Sequence, residues 1–285
     1  MLTFGYTPDG PGATEPTALA ALAFLAERDF DGARGACTWL AQHQNRDGSL
    51  GVCEGQADPC WPTSLAILAW ETAIVRRPWP GVEGLRPAVR AALEWLTTTK
   101  GESLRRNPQF GHDTTLVGWP WVAGTHSWIE PTAFAVMALR ATGNAEHPRC
   151  QQAIRLLIDR QLSTGGCNYG NTFVLGQELL PHTLPSAISL LALARFNIDD
   201  PRIEKSLKWL HEAVEHEHGT PSLCFGLLAL AAHDRPHPKT NALIAAAEHR
   251  VSKRRASGYQ LALLSHAALG ASSPLVPSPQ TARIA

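Results

Sequence analysis

The chain has 285 residues, a length that allows one large domain or two small ones. Apolar residues make up 44% and charged residues 18%, which is typical of a folded globular protein. The 25 Lys and Arg residues balance the 25 Asp and Glu residues, so the composition argues against a nucleic-acid-binding protein and against an acidic, solvating tail.

Neither a membrane span nor a secretory leader is recognisable in the sequence. No apolar run approaches the roughly 20 residues that a span needs. Residues 1–16 lack the basic and apolar regions of a signal peptide. Without a secretory signal, the six cysteines are expected to be thiols or metal ligands rather than a disulfide framework. These features predict a cytoplasmic protein.

The most informative feature is an apolar segment that recurs six times. Each copy is rich in Ala and Leu, and several begin with Pro followed by Thr or Ser, as in TEPTALAALAFL. Such a segment favours helix, and a helix that is apolar on all sides is expected to be buried. A proline fits the first turn because no hydrogen bond is lost there. The copies lie at 14–25, 60–70, 129–141, 183–194, 219–232 and 258–270.

Amphipathic segments that carry the charges alternate with these copies. They are predicted to be surface helices at 29–43, 86–98, 148–162, 200–213 and 238–250. Four of them share a pair of bulky residues at a corresponding place. These pairs are Trp39-Leu40, Trp95-Leu96, Leu156-Leu157 and Trp209-Leu210.

The alternation predicts an all-α protein with two layers of helices. The simplest arrangement is an α/α toroid, or α6/α6 barrel, in which six apolar helices form an inner ring inside an amphipathic outer ring. No sustained period-2 pattern indicates strands. Residues 1–271 are expected to form a single toroid domain, and the Ser/Pro-rich residues 272–285 a flexible tail.

Two segments resemble the QW repeat of squalene-hopene and oxidosqualene cyclases. Residues 38–51, TWLAQHQNRDGSLG, carry the aromatic-Leu-x3-Gln pattern and end with Leu50 in place of an aromatic residue. Residues 155–171 form a second copy, with Cys167 where Trp is expected. The inner-helix segment SWIEPTAFAVMAL at 127–139 is similar to helices of the same superfamily, which also includes protein prenyltransferase β subunits.

The resemblance covers about residues 14–270 and implies the α/α toroid. It also implies structural roles for the QW residues, whose glutamines tend to cap neighbouring helix ends and whose aromatic rings pack between repeats. Function does not follow from the fold alone. The residues with an implied structural role are Trp39, Gln44, Trp95, Gln161 and Trp209.

The mouth of such a toroid, where the inner helices begin, is the expected ligand site. Class II terpene cyclases, which the sequence resembles, carry an Asp-x-Asp-Asp motif before a Thr-Ala pair there, and its middle Asp protonates an alkene or epoxide. Aligning the Thr-Ala of the third inner segment puts Glu130 on the acid position, with Trp128 and Pro131 replacing the flanking aspartates. Glu15 has the equivalent place in the first repeat.

The resemblance therefore implies an acid-initiated cyclase or isomerase acting on an isoprenoid or other hydrophobic substrate. Two alternatives for this site remain open. Glu130 and Glu15 could bind backbone N–H groups at their helix starts, where an anion is favoured. The chain could also be a non-catalytic toroid that binds a lipid or peptide. The segment 197–200, Asn-Ile-Asp-Asp, resembles a damaged acid motif, but Asp-Asp-Pro before an amphipathic segment indicates a helix start.

Further candidate site residues lie in the loops that precede inner helices. Aromatic faces stabilise cations, and the Gly-rich loop 165–182 allows the backbone to approach a ligand. We expect His126 to assist Glu130 as a polar catalytic partner. The candidate ligand-lining residues are Trp61, Trp121, Trp128, Cys167, Tyr169 and His182.

A third possibility is a zinc-dependent transfer of a prenyl or alkyl group to a thiol. Protein prenyltransferase β subunits bind zinc through an Asp-x-Cys pair and a distant His, and Asp58 and Cys60 form such a pair before an inner helix. Cys53 could be a further ligand or a disulfide partner. No other cofactor is expected, because the sequence has no P-loop and no dinucleotide fingerprint. The histidines near inner-helix starts are His126, His182 and His218.

Overall fold

The computed structural model describes residues 2–277, which form eleven α-helices and one short hairpin. The apolar segments give the odd-numbered helices and the amphipathic segments give the even-numbered ones. In chain order the helices are α1 (Thr14–Glu27), α2 (Phe30–Gln42), α3 (Thr63–Arg76), α4 (Arg86–Thr98), α5 (Ile129–Ala141), α6 (Pro148–Asp159), α7 (Thr183–Leu193), α8 (Pro201–Ala213), α9 (Thr220–Ala232), α10 (Thr240–Ser252) and α11 (Gly258–Leu269).

The odd-numbered helices form a closed inner ring. Helix α1 packs against α3, each odd-numbered helix packs against the next, and α11 returns to α1. Every residue of α5 from Ile129 to Leu139 is buried, whereas α8 buries only a stripe on one side. The structure confirms the predicted all-α toroid with an apolar inner layer and an amphipathic outer layer. Among residues 2–277, no helix is both long and apolar enough to cross a bilayer.

The outer layer contains five helices in the described residues, one for each of the five predicted amphipathic segments, whereas a complete α6/α6 barrel would have six. After α11 the chain makes a short 3-10 turn at 270–272 and then crosses the end of the barrel. Leu275 and Val276 are buried there, and the Ser273 hydroxyl lies 3.0 Å from Nδ1 of His266. Residues 272–277 of the predicted tail are thus packed on the barrel. The rest of that tail, 278–285, lies outside the described residues.

A small hairpin interrupts the helical pattern before α7. Strand β1 (Phe173–Val174) pairs antiparallel with β2 (Gln177–Glu178). Leu175 and Gly176 form the turn with positive φ angles of 52° and 78°, as a two-residue hairpin turn requires. The sequence predicted no strand here, because two-residue strands are too short to show a period-2 pattern.

The acidic segment at 197–200 marks a helix start, as predicted. Asp200 is the N-cap of α8, and its carboxylate accepts a hydrogen bond from the backbone N–H of Arg202 at 2.9 Å. Pro201 occupies the first helical position. This segment is therefore structural.

The glutamines of the QW-like segments join neighbouring helices. The side-chain amide of Gln44 donates to the carbonyl of Ala88 in α4 at 2.9 Å. Gln161 donates to the Ser189 hydroxyl in α7 at 3.0 Å and accepts a hydrogen bond from the Ser206 hydroxyl in α8 at 2.7 Å. These contacts confirm the structural role expected of both glutamines.

One pair of contacts recurs at the start of four inner helices. The Thr or Ser that follows the proline accepts a hydrogen bond from a backbone N–H in a preceding loop, and its hydroxyl also lies within 3.4 Å of the carbonyl oxygen of that same residue. The contact ties the loop to the helix. The N–H to hydroxyl distances are 3.0 Å for Phe4–Thr17, 2.9 Å for Leu50–Thr63, 2.9 Å for Trp119–Thr132 and 2.8 Å for Cys167–Ser186.

Replacing Thr63 by Val tests this contact away from the candidate site. Valine keeps the branched shape but leaves the buried N–H of Leu50 without its acceptor. We expect a loss of roughly 1–3 kcal/mol in the free energy of unfolding, measured by urea denaturation. Thr98→Val is the matched control, because Thr98 is exposed, and it should change stability by less than about 0.5 kcal/mol. Equal effects of the two changes would contradict the stabilising role of the contact between Thr63 and Leu50.

Candidate functional site

Two buried carboxyl groups lie where the inner helices begin. Glu15 is the second residue of α1 and Glu130 the second residue of α5, and they are 6% and 7% exposed. Each outer helix returns the chain, so all inner helices begin at the same end of the barrel. Glu15 and Glu130 therefore lie at the same end of the barrel, on helices that α3 separates in the ring.

Two tyrosines contact Glu15. The Tyr6 hydroxyl donates to Oε2 at 2.6 Å, and the Tyr259 hydroxyl donates to Oε1 at 3.3 Å. The two rings meet edge to face with centroids 5.3 Å apart. Burial raises the pKa of Glu15 to about 7, and the two hydrogen bonds oppose that rise because they stabilise the carboxylate.

The carboxyl of Glu130, unlike that of Glu15, is not stabilised by hydrogen-bond donors in the described residues. Its carboxyl has no hydrogen-bond partner among residues 2–277, and Oε1 is fully buried. Burial raises the pKa of Glu130 to about 7, and the negative charge of Glu15 adds to that rise. Because the tyrosine donors favour an ionised Glu15 and the charge of Glu15 disfavours an ionised Glu130, Glu130 is the second of the two to lose its proton as the pH rises.

The alternative role of these carboxyls as helix caps is wrong. Neither Glu15 nor Glu130 accepts a hydrogen bond from a backbone N–H in the described part of the chain. The N-caps of α1 and α5, Ala13 and Trp128, make no side-chain hydrogen bond. The carboxyls are therefore buried in the first turns of their helices without stabilising a helix end through a hydrogen bond.

Aromatic rings fill the barrel one turn below the carboxyls. Phe134 and Phe225 are at most 1% exposed, and their ring centroids lie 6.0 Å apart although α5 and α9 are not neighbours in the ring. Trp61 stacks on Phe134 at 6.2 Å, and Trp121 packs edge-on against Trp61 at 4.6 Å. This aromatic layer, formed by Trp61, Trp121, Phe134 and Phe225, is fully buried at the two phenylalanines and half-buried at the two tryptophans, which belong to loops before inner helices.

Other predicted lining residues surround the mouth at different depths. Tyr169 is 38% exposed, and its ring lies 5.1 Å from that of His182, which is exposed. Trp128 lies close to Gly170, where an added Cβ would come within 3.1 Å of the indole. Cys167 is fully buried, and burial raises the pKa of its thiol to about 12, so the thiol stays protonated.

His126 does not join the carboxyl pair. It is exposed, and its backbone forms a bridge with Glu102 in the loop before α5. No hydrogen bond links its ring to Glu130 or Glu15. The expected catalytic role of His126 therefore has no geometric basis, because the loop keeps this residue at the surface.

The predicted zinc ligands are not assembled. Asp58 and Cys60 are adjacent, with the Cys60 thiol 3.3 Å from Oδ1 of Asp58. Burial raises the pKa of that thiol to about 11. Within residues 2–277, no three His, Cys, Asp or Glu side chains are grouped so that they could hold a metal ion. All six cysteines, including Cys53, are free thiols, so Cys53 is neither a third ligand nor a disulfide partner.

Four residues of the site were not predicted from the sequence. Tyr259 is the second residue of α11, the position that Glu15 and Glu130 have in their helices, so the helix alignment contained a signal for it. Phe134 and Phe225 are both the sixth residue of their helices, which is a second signal of the same kind. Tyr6 lies in the segment before α1, where no repeat pattern identifies it.

The comparisons with known proteins support the fold of the site. No family model and no curated protein matches the sequence. The type II terpene cyclase MstE from Scytonema, without ligand, superimposes with a TM-score of 0.52 and 16% identity. A variant of MstE in complex with its substrate, geranylgeranyl dihydroxybenzoate, gives 0.50 and 15%. Each match covers 90% of this chain and 78% of the other. The chain therefore has a terpene cyclase-like toroid.

The raised pKa of Glu130 makes stability depend on pH. The folded protein keeps the proton up to about pH 7, whereas the unfolded chain releases it near the ordinary value of 4.5. The folded state thus binds more protons in this window, and stability falls as pH rises through it. Glu130→Gln removes this contribution. We expect the variant to gain stability relative to the wild type between pH 4.5 and 7, by up to about 3 kcal/mol.

Urea unfolding at a series of pH values measures this difference. Glu15 also has a raised pKa and is present in both proteins, so only the difference between the two curves reports on Glu130. A uniform effect of the amide on stability would shift the whole curve without changing its dependence on pH. Two parallel curves would show that Glu130 ionises at its ordinary pKa in the folded protein.

Proposed function

We propose that this chain is an acid-initiated, terpene cyclase-like isomerase or cyclase whose substrate is an isoprenoid or another hydrophobic alkene. The observation that carries the proposal is the buried, unpartnered carboxyl of Glu130 above a layer of aromatic rings, within the described residues. The fold likeness to a type II terpene cyclase that acts on a geranylgeranylated compound supports this substrate class.

Glu130 would start the reaction by donating its proton to one carbon of a double bond. The π electrons form the new C–H bond, and the other carbon becomes a cation. A general acid must hold its proton at the working pH, and the raised pKa of Glu130 provides this near neutral pH. Its carboxyl makes no hydrogen bond within the described residues, so no protein contact has to break before the transfer.

The surroundings of Glu130 would stabilise the cation. The faces of Trp61 and Phe134 attract a positive charge, and both rings lie at the same end of the barrel as Glu130. Glu15, whose ionised form Tyr6 and Tyr259 stabilise, would place a negative charge at the same end of the barrel. In a poorly solvated site such a charge interacts strongly with a cation.

Loss of a proton from a neighbouring carbon completes the reaction. The carboxylate that Glu130 becomes can take this proton back, which restores the acid. The net change is an isomerisation with the same molecular formula. A second double bond that attacks the cation before this step would give a ring, again with no change in formula.

The aromatic layer limits how the substrate can bind. Phe134 and Phe225 block the barrel axis below Glu130, so the reacting double bond would enter from the mouth, past Tyr6 and Tyr169. The rest of a long substrate would remain in the mouth. A short alkene, or the terminal unit of a longer chain, therefore fits this geometry better than a substrate threaded through the barrel.

Incubation in D2O tests the proposal whatever the structure of the product. The probes are farnesol, geranylgeraniol and geranylgeranyl dihydroxybenzoate. Protonation by Glu130 would place deuterium on carbon, so mass spectrometry should find an isomer of the substrate heavier by one deuterium. Glu130→Gln should lower this rate by about 10²–10⁴-fold, because the amide cannot donate the proton. Binding without deuterium incorporation would instead support the non-catalytic binder.

Glu15→Gln separates the roles of the two carboxyls. The rate of the wild type should fall as pH rises through about 7, because Glu130 must be protonated. The charge of Glu15 contributes to that raised pKa, so its removal should move the fall to lower pH. The measurement is the pH dependence of the rate of deuterium incorporation. An unchanged profile in Glu15→Gln would contradict the coupling between the carboxyls.

A further inference from the structure

A cleft of about 760 Å³ opens at the other end of the barrel, where the inner helices finish. The last turns of α3 and α5 form one side, and residues 271–277, which cross the barrel end, form the other. Its volume lies within the roughly 300–1,000 Å³ typical of small-molecule sites. The cleft is far along the helices from Glu15 and Glu130, which are in their first turns.

The deep part of the cleft is apolar. Leu68 and Met137 line it from α3 and α5, and Leu275 and Val276 line it from the crossing segment. All four side chains are at most 8% exposed. Nearer the solvent, Val75 is 70% exposed and provides an apolar edge. A ligand that reaches the deep part would therefore need an apolar portion.

Among residues 2–277, the charged groups that line the cleft are three arginines and one glutamate, Glu71. Arg195 is paired with Asp234, which neutralises it. Arg76 and Arg140 have no carboxylate partner among residues 2–277. Both donate to carbonyls at helix ends: Nη1 of Arg76 binds the carbonyl of Leu25.

Arg140 is the best-placed group to bind an anion. Its Nη1 donates to the carbonyls of Ala192 and Ala194 at 3.1 and 2.8 Å, and its guanidinium lies over the ring of Phe196 at 5.1 Å. Its Nε and Nη2 make no hydrogen bond within the described residues. Burial of the guanidinium lowers the pKa of Arg140 to about 10, so it stays charged at neutral pH. Arg140 is half-buried, and a partly buried cation without an anion is costly, so a bound anion would lower that cost.

We propose that this cleft binds an amphiphile with one anionic head group, a carboxylate or a phosphate monoester. The head group would contact Arg140 and lie near Arg76, and the alkyl chain would lie against Leu68, Met137 and the crossing segment. This binding site is separate from the proposed catalytic mouth, and its occupation does not depend on the catalytic proposal.

Titration calorimetry with three ligands of equal chain length tests the site. Dodecanoate and dodecyl phosphate, below their micelle concentrations, should each bind with one site per chain. Dodecanol should bind at least about tenfold more weakly, because it cannot accept a charge-assisted hydrogen bond. Equal affinity of dodecanol, or no saturable binding of either anion, would overturn the proposal. A preference between the two anions identifies which head group the cleft favours.

Two variants locate the binding. Arg140→Gln should weaken dodecanoate binding by about tenfold or more. Because Arg140 also caps the end of α7, Ala141→Trp provides an independent test: Ala141 is exposed, lines the cleft, and its replacement fills the space without removing the guanidinium. This variant should also lose binding. Val174→Trp, on the exposed hairpin, is the control and should keep the wild-type affinity. Wild-type affinity in folded Ala141→Trp would overturn the assignment to this cleft.

Discussion

The double contact between a hydroxyl and a loop backbone is the constraint on which the barrel mouth depends. It occurs at Thr17, Thr63, Thr132 and Ser186, always just after the proline that starts an inner helix. The loops enter the buried space between repeats, where each unpaired N–H would be costly. One small hydroxyl satisfies that N–H and fixes the loop relative to the helix. The residues next to these contacts, including Trp61 and Glu130, are thereby directed to the same end of the ring.

Burial then decides the chemistry of the carboxyls at that end. Burial in the largely apolar inner ring disfavours ionisation, and it raises the pKa of both Glu15 and Glu130 to about 7. A rise from 4.5 to 7 corresponds to about 3 kcal/mol for each group. The tyrosines distinguish two otherwise similar residues. Tyr6 and Tyr259 donate to Glu15 and favour its charge, whereas Glu130 has no hydrogen-bond donor among the described residues.

The two ends of the barrel differ because all inner helices point the same way. Their N-termini carry partial positive charge and their C-termini partial negative charge. Glu15 and Glu130 lie in first turns, whereas Arg76 and Arg140 lie in last turns and donate to carbonyls of neighbouring helices. His266 also lies in a last turn and contacts the carbonyl of Leu19. The same polarity thus separates an acid site at one end from a cationic cleft at the other.

The sequence by itself determined the eleven helices, because each is recognisable from its own composition and period. The bounds of α4 and α5 agree with the prediction, and the repeat register identified Glu15 and Glu130 as equivalent positions.

Only the tertiary structure decided which distant residues meet. Tyr259 is 244 residues from Glu15 along the chain, and Phe134 meets Phe225 across the ring. Asp58 and Cys60 also depend on tertiary structure, because a third ligand would have to come from a distant part of the chain. Within residues 2–277 the fold brings no such ligand to them. A local pattern determines one helix at a time, whereas the closure of the ring determines which side chains share its interior.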